Sequence, residues 1–271
     1  MSTFWKIDRN CEGRDFVVGD VHGHLRQLQI QLAALGFTPR IDRLFFLGDI
    51  VDRGPESEAL IDLIDQRTYF SILGNHEAMT IAGFENPSAI QLHKSNGGSW
   101  FYKLPSERQQ AIVDKIRSWP WAVEIDGGAK RIGLVHADVP KGSWNLVKEL
   151  LDNISDAWSQ LASLDDPAIA EVAQPLLWRR TLITRLYREV LEFENNKRTL
   201  AVYKSTFLDR ISKRKCAEPW LVRPFEIEGI DSVCMGHSYV PVATKVGNCH
   251  FLDTYRGEPG EELSILCINR S

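Results

Sequence analysis

An α/β fold is predicted for this 271-residue chain by three features of its sequence. Short apolar runs alternate with stretches whose apolar residues recur every three or four positions. Five of the short runs end in a side chain able to bind a metal, and four of those side chains directly follow a glycine. A long helical-looking stretch separates the fourth of these run ends from the fifth.

The elements follow in order. Phe16-Val17-Val18 reads as a buried strand running into Gly19-Asp20. Leu25, Leu28, Leu32 and Leu35 mark one face of a helix, with Gly36 as its C-terminal cap. Residues 44–47 form a second strand, entering Gly48-Asp49, and Pro55 marks a helix start before Ala59, Leu60, Leu63 and Ile64. Residues 70–73 form a third strand, entering Gly74-Asn75. Ser106 and Gln109 make a capping-box pattern for a helix that should stop near Pro120. Residues 121–125 and 131–135 flank Asp126-Gly127 as a hairpin, and the second of these strands ends in His136. From about 142 to 207 the texture is helical. Leu146, Val147, Leu150, Leu151, Ile154, Trp158 and Leu161 form one stripe after Ser143; Leu182, Ile183, Leu186, Tyr187, Val190 and Leu191 form another. Residues 232–235 lead into Gly236-His237. The chain reads as one domain over 1–271, with residues 142–215 as a helical insertion packed against the sheet core.

Composition narrows the classes. The hydrophobic fraction of 44% and charged fraction of 25% are those of a globular protein. No apolar run approaches the ~18–20 residues that cross a bilayer, so no membrane partner is expected. The N-terminal residues show no signal-peptide core, and the five cysteines are scattered without a C-x-x-C pair. A cytoplasmic setting is therefore expected, with no disulfide framework and no thiolate metal site. The net charge of −4 is uneven: residues 179–215 hold eleven Lys or Arg and four Asp or Glu, a local +7. That segment is either a solvated helical surface or a docking face for an anionic partner.

Asp20-Val21-His22 places a carboxylate and an imidazole two residues apart, able to face one ion from an extended segment. Asp49, Asn75, His136 and His237 stand at separate run ends. Such oxygen and imidazole donors, without thiolate, suit Mn²⁺, Fe, Zn²⁺ or Mg²⁺. Six candidate ligands are too many for one open ion and about right for two sharing a carboxylate. Two divalent ions over two Asp charges leave excess positive charge, which favours a phosphate dianion and activation of water. Arg53, close to Asp49, can grip phosphate oxygens in a planar fork. His76 is the natural general acid for the leaving oxygen, with Asp52 to orient it.

GDVHGH (19–24), GDIVDRGP (48–55) and GNHE (74–77), in this order and spacing, resemble the phosphoprotein-phosphatase branch of the calcineurin-like metallophosphoesterases. Asn96-Gly97-Gly98-Ser99-Trp100, His136-Ala137-Asp138 and Gly236-His237-Ser238 extend the match, which is closer to the phage lambda protein phosphatase and its bacterial relatives than to the eukaryotic enzymes. The resemblance covers roughly 14–138 and 228–256. It implies two mixed sheets packed together and flanked by helices. It also implies one metal, most readily Mn²⁺, on Asp20, His22 and Asp49, with Asp49 bridging to a second on Asn75, His136 and His237. Arg53 and an arginine of a Trp-x-Arg segment would bind phosphate; Trp178-Arg179-Arg180 makes that Arg180, with Arg179 beside it. Two features depart from the pattern: the His136-to-His237 span is about twice that of the phage enzyme, and Tyr255 stands where glycine is usual after Leu252-Asp253-Thr254.

The implied reaction is hydrolysis of phosphate monoesters, most readily phosphoserine and phosphothreonine in proteins, with phosphotyrosine included and nucleic acid not expected as a partner. The symmetric diadenosine tetraphosphatases share the scaffold and form the competing reading. Glu77 and Asp138 argue against them, since those enzymes resemble GNHD and His-Ala-Gly at these places. A non-catalytic binding module should have lost ligands, and here all are present. Glu77 otherwise reads as a charge complementing a helix N-terminus or a support for neighbouring ligands. His24, His93 and His250 read as ordinary structural histidines, Trp100 and Trp178 as core or pocket wall, and Lys213-Arg214-Lys215 as solvated surface.

Overall fold

The computed structural model of the chain describes residues 2–187 and 223–269. Residues 188–215 of the expected insertion, with Val190, Leu191 and the Lys213-Arg214-Lys215 cluster, lie outside the described residues.

Ten strands are described, in two sheets: β1 (Phe4–Ile7), β2 (Asp15–Val18), β3 (Arg43–Phe46), β4 (Tyr69–Ser71), β5 (Ala122–Asp126), β6 (Arg131–Val135), β7 (Ser232–Met235), β8 (Thr244–Val246), β9 (Cys249–Phe251) and β10 (Ile265–Cys267). One sheet has the order β1-β5-β6-β7-β9-β8, the other β10-β2-β3-β4. Both are mixed. β2, β3 and β4 run parallel while β10 is antiparallel to β2; β6 is antiparallel to β5 and parallel to β7. The hairpin read from Asp126-Gly127 is the β5–β6 pair, with Asp126 opposite Arg131.

The period of two along each strand divides the apolar residues between two interiors. Val17, Phe45, Leu47 and Phe70 meet Val123, Ile125, Ile132, Leu134 and Cys234 between the sheets. Phe16, Val18, Leu44 and Phe46 face outward, under α1 (Leu25–Ala34) and α2 (Ser57–Leu63). On the far side α6 (Trp144–Ser159) covers the larger sheet. Its Ser143 cap accepts the Leu146 N–H, its Trp144 lies over Gly133 and donates to Glu124, and its Trp158 packs edge-on to Trp121 at 5.1 Å. Of the stripe read from Leu146 to Leu161, Val147, Leu151, Ile154 and Trp158 are thus part of the main core, each buried aliphatic contributing about 1.5–3 kcal/mol, while Leu161 lies beyond the helix end at Ser159 and is exposed. Between these helices lie α3 (Asn75–Glu85), α4 (Ile90–Ser95) and α5 (Ser106–Arg117); after α6 come α7 (Pro167–Ala173) and α8 (Thr181–Arg185).

Two local expectations are corrected. The helix after Asp49 begins at Ser57, not Pro55. Residues 54–56 are instead tied to the Asp20–His22 loop, by Gly54 N–H to His22 O and Glu56 N–H to Gly23 O. The capping box at Ser106 does not form. Pro105 holds the cap position with extended backbone, Ser106 is already helical, and the Gln109 amide donates to Leu104 O instead.

Candidate metal centre

The parallel strands β2, β3 and β4 of one sheet and β6 and β7 of the other point their carboxyl ends at one place. Asp20 and Asp49 follow β2 and β3, Asn75 opens α3 just after β4, and His136 and His237 follow β6 and β7. All six candidate ligands, with His22, are at most 6% exposed. The two Gly-Asx turns are forced together: a Cβ on Gly48, whose φ is +84°, would come within 2.6 Å of the Gly74 Cα. Five of the eight non-glycine residues with left-handed backbone among the described residues belong to this site: His22, Asp49, Asp52, Arg53 and His237. Each such conformation costs about 1–3 kcal/mol, a concentration that marks a site held for function.

Asp49 stands at the centre. Its Oδ2 lies 3.9 Å from His22 Nε2 and 3.8 Å from His76 Nε2, and its Oδ1 lies 3.4 Å from His136 Nε2. Asn75 Oδ1 meets His136 Nε2 at 2.9 Å and His237 Nδ1 at 2.8 Å. The rings are aimed by their other nitrogens: His22 Nδ1 donates to Val51 O and His136 Nδ1 to Leu47 O, which leaves each Nε2 lone pair facing inward. Donor spacing groups His22, Asp49 and His76 on one side and Asp49, His136 and His237 on the other. Asp20 falls outside the first group because its carboxylate turns to accept the His237 N–H at 2.9 and 3.2 Å; it remains 3.9 Å from His22 Nε2.

The electrostatics divide the histidines. Burial, then the neighbouring imidazoles and arginines, push His22 and His237 down to about 3 against the pull of Asp49, and burial pushes His136 down as well. These rings are neutral and can ligate. His76 is also pressed down by burial, but Asp49 and its bond to Asp52 outweigh that and raise it. Burial, Asp253 and Asp49 raise Asp20, and burial and Asp49 raise Asp253 to about 7, so buried carboxylates crowd one another here. Burial raises Asp49 too, but the surrounding imidazoles outweigh it and depress it. Neutral inward lone pairs beside crowded buried carboxylates fit divalent cations, since such charge stays buried only when paired. A guanidinium is drawn to the same place: Arg53 donates to His22 Nε2 at 2.6 Å and to His76 Nε2 at 3.0 Å.

His76 Nδ1 donates to Asp52 Oδ2 at 2.7 Å, and the indole Nε1 of Trp100 donates to Asp52 Oδ1 at 2.7 Å. Trp100 is thus more than pocket wall. Arg180 is exposed at the start of α8 and close enough for its charge to be felt at His136, His237 and Asp253. Asp138 accepts the Thr181 N–H and so anchors that helix start. Arg179 instead lines a separate cavity of about 710 Å³ with Lys141, Arg185 and Arg223. Glu77 supports the ligands: its Oε2 accepts from the N–H groups of Asp49 and Gly74, its Oε1 from Ile50 and Val51. Sequence reasoning missed the buried carboxylate of Asp253 beside Asp20 and the contact of His93 Nε2 with Asp52 Oδ1 at 3.2 Å. Asp253 carried a signal, lying beyond the last strand-like run, and His93 carried none beyond preceding Asn96-Gly97-Gly98 by three residues.

The calcineurin-like phosphoesterase family model matches residues 16–241. Over 153 residues the chain is 35% identical to serine/threonine-protein phosphatase 2 of Escherichia coli K12, a span of 55% of this chain and 70% of that one. Over 137 residues it is 35% identical to the symmetrical bis(5'-nucleosyl)-tetraphosphatase of Pseudomonas putida F1, a span of 50% of this chain and 45% of that one. The fold is similar to that of a cold-active protein tyrosine phosphatase, with TM-score 0.54 and 14% identity over 94% of this chain and 72% of the other. Among the described residues no helix is long and apolar enough to cross a membrane. Because the matched span runs from β2 past His237 and takes in every candidate ligand, the chain belongs to the calcineurin-like phosphoesterase family, as a phosphatase of the kind that works with two divalent metal ions.

Proposed function

We propose that this enzyme hydrolyses phosphoserine and phosphothreonine, and also phosphotyrosine, in proteins or peptides of the cytoplasm. The observation that carries the reaction type is the convergence of His22, His136 and His237 donor atoms on Asp49, with His76 facing the same carboxylate while its Nδ1 is tied to Asp52, the one ring of the four in which carboxylate neighbours outweigh burial and raise the basicity. Environments that push neighbouring groups apart assign their roles. Asp20, His22 and Asp49 would hold one ion; Asp49, Asn75, His136 and His237 would hold the other. Mn²⁺ suits this donor set, as do Fe, Zn²⁺ and Mg²⁺. When bound, two such ions supply a water acidic enough to attack and offset charge on the phosphoryl group.

The chain's own residues do the rest. Arg53 has both terminal nitrogens turned toward the donors and would leave the histidines to grip phosphate oxygens as a fork. Arg180 adds a second positive charge from the α8 side. His76, its Nδ1–H fixed on Asp52, would take up a second proton at Nε2 once Arg53 leaves it, and would pass that Nε2 proton to the leaving oxygen. Of the segment 142–215, α6 belongs to the core, while Trp178 O meets His237 Nε2 at 3.1 Å and so brings the stretch before α8 to the rim of the site. A protein substrate is supported by the 35% identity to the Escherichia coli phosphatase over 70% of that relative. Diadenosine tetraphosphate is the second reading, supported by the Pseudomonas relative over a smaller share of its length.

The test is a parallel assay of the metal-loaded protein on a phosphoserine peptide, a phosphotyrosine peptide and diadenosine tetraphosphate. The expected order of kcat/KM puts the phosphoserine peptide first. A kcat/KM greatest for the dinucleotide would overturn the protein-phosphatase reading.

A further inference from the structure

Asp52 and His93 are both completely buried, and they touch. His93 Nε2 lies 3.2 Å from Asp52 Oδ1, the oxygen that Trp100 also binds, while the other oxygen, Oδ2, holds His76. On its far side His93 Nδ1 meets the Tyr102 hydroxyl at 2.9 Å. The directions of these bonds can be worked out. Burial raises the Asp52 carboxyl, but its bonds to His76 and His93 outweigh that and lower it, so Asp52 is an anion and accepts only. His93 Nε2 must therefore donate. On the far side of the ring Nδ1 has the Tyr102 hydroxyl as its partner, which donates to it in the Nε2–H tautomer. Burial, then Asp52, pushes that hydroxyl up to about 12, so it keeps its proton.

The surroundings hold the ring in this pose. Thr80, one turn after His76 in α3, donates to His76 O and sits 3.2 Å from His93 Nε2. Gly98 packs so closely on the His93 ring that a Cβ there would overlap it. The Asn96-Gly97-Gly98 turn thus seats this imidazole against Asp52.

We propose that His93, held by Tyr102 as the Nε2–H tautomer, is a positioning residue for proton donation: it fixes Asp52, and through Asp52 the orientation and tautomer of His76. The chain of donors runs from Tyr102 to His93 to Asp52, and His76 meets the same carboxylate from its other side. This inference rests on the proposed role of His76 as proton donor.

The experiment compares metal-loaded wild type, His93→Leu, His93→Gln, Tyr102→Phe and His76→Asn. Each is assayed on a phosphoserine peptide, whose alkoxide needs a proton, and on p-nitrophenyl phosphate, whose leaving group does not. His93→Leu should lower kcat on the peptide by about tenfold, the worth of one hydrogen bond to a charged group, with KM and bound metal unchanged. The loss on p-nitrophenyl phosphate should be much smaller. His93→Gln, which still carries a donor, should recover most of it, and Tyr102→Phe should give a weaker loss with the same substrate dependence. Equal losses on both substrates, or no recovery with glutamine, would make His93 a core residue only and overturn the proposal. If His93→Leu does not fold, Tyr102→Phe decides by the same substrate contrast. If His76→Asn also strikes both substrates equally, the proton-donor reading fails and this inference with it. If His76→Asn discriminates while the His93 and Tyr102 variants do not, this inference alone fails.

Discussion

Glu77→Gln replaces one buried atom and tests whether the ligand loops are held by a single carboxylate. Glu77 is fully buried at the start of α3. Its Oε2 accepts the N–H groups of Asp49 at 2.7 Å and Gly74 at 2.9 Å; its Oε1 accepts Ile50 at 2.9 Å and Val51 at 3.4 Å. A glutamine keeps one acceptor and turns an NH₂ toward the other pair. The lower-cost orientation keeps the oxygen on Asp49 and Gly74, leaving the N–H groups of Ile50 and Val51 facing a donor. A buried donor left unpaired costs about 1–3 kcal/mol, and the long Val51 bond counts for less, giving roughly 2–4 kcal/mol. An opposing effect is present: burial and the Asp49 charge push the Glu77 carboxyl up to about 8, and the neutral amide relieves that repulsion. That relief subtracts from the two lost acceptances, so ~2–4 kcal/mol is the upper bound of the net loss, which a domain stable by ~5–15 kcal/mol survives. Val51 O holds His22, so Mn²⁺ affinity should fall as well. Urea unfolding and calorimetric Mn²⁺ titration measure the two effects. An unchanged urea midpoint together with unchanged Mn²⁺ affinity would refute the clamp.

His76→Asn should keep fold and metals while lowering kcat on a phosphoserine peptide by roughly 10²–10⁴, read by steady-state kinetics. Gly48→Ala should lower thermal stability by about 1–3 kcal/mol or more, because φ is +84° and the new methyl meets Gly74. A chelator should abolish turnover and Mn²⁺ should restore it, with the circular dichroism spectrum preserved throughout. If the basic run 179–215 steers acidic substrates, salt should depress kcat/KM for an acidic phosphopeptide more than for p-nitrophenyl phosphate, since screening acts over ~8–10 Å. Replacing Lys213, Arg214 and Lys215 with Ser should reproduce that selective loss; equal effects on both substrates would return the run to ordinary surface.

The edge that carries the candidate ligands was legible in the sequence because five of the six follow an apolar run of strand length, four of them through a glycine. That pattern reports the chain leaving a buried strand and turning sharply, and the parallel registers of β2–β3–β4 and β6–β7 bring the turns together. Local rules failed where a distant partner decides. Pro55 and Ser106 carry helix-start chemistry, yet the Asp20–His22 loop claims residues 54–56, and Pro105 takes the cap of α5. Glu77, read as a helix N-terminal charge or a support for neighbouring ligands, is both: it sits in that first turn, and three of its four partners lie in the loop after β3. His93 looked like a core histidine because nothing near it in sequence shows that it meets Asp52, forty-one residues earlier. Periodicity reports which face is buried, not which buried polar groups find each other across the fold.

The central claim is a two-ion centre built on Asp49, and metal stoichiometry tests it most directly. Wild type and Asp49→Asn would each be saturated with Mn²⁺, desalted and analysed for metal per chain. Two ions per wild-type chain are expected. The variant should bind both sites weakly and retain less than one, because the shared charge between His22 on one side and His136 on the other is gone. Two ions still held tightly by Asp49→Asn, or only one by the wild type, would contradict the account.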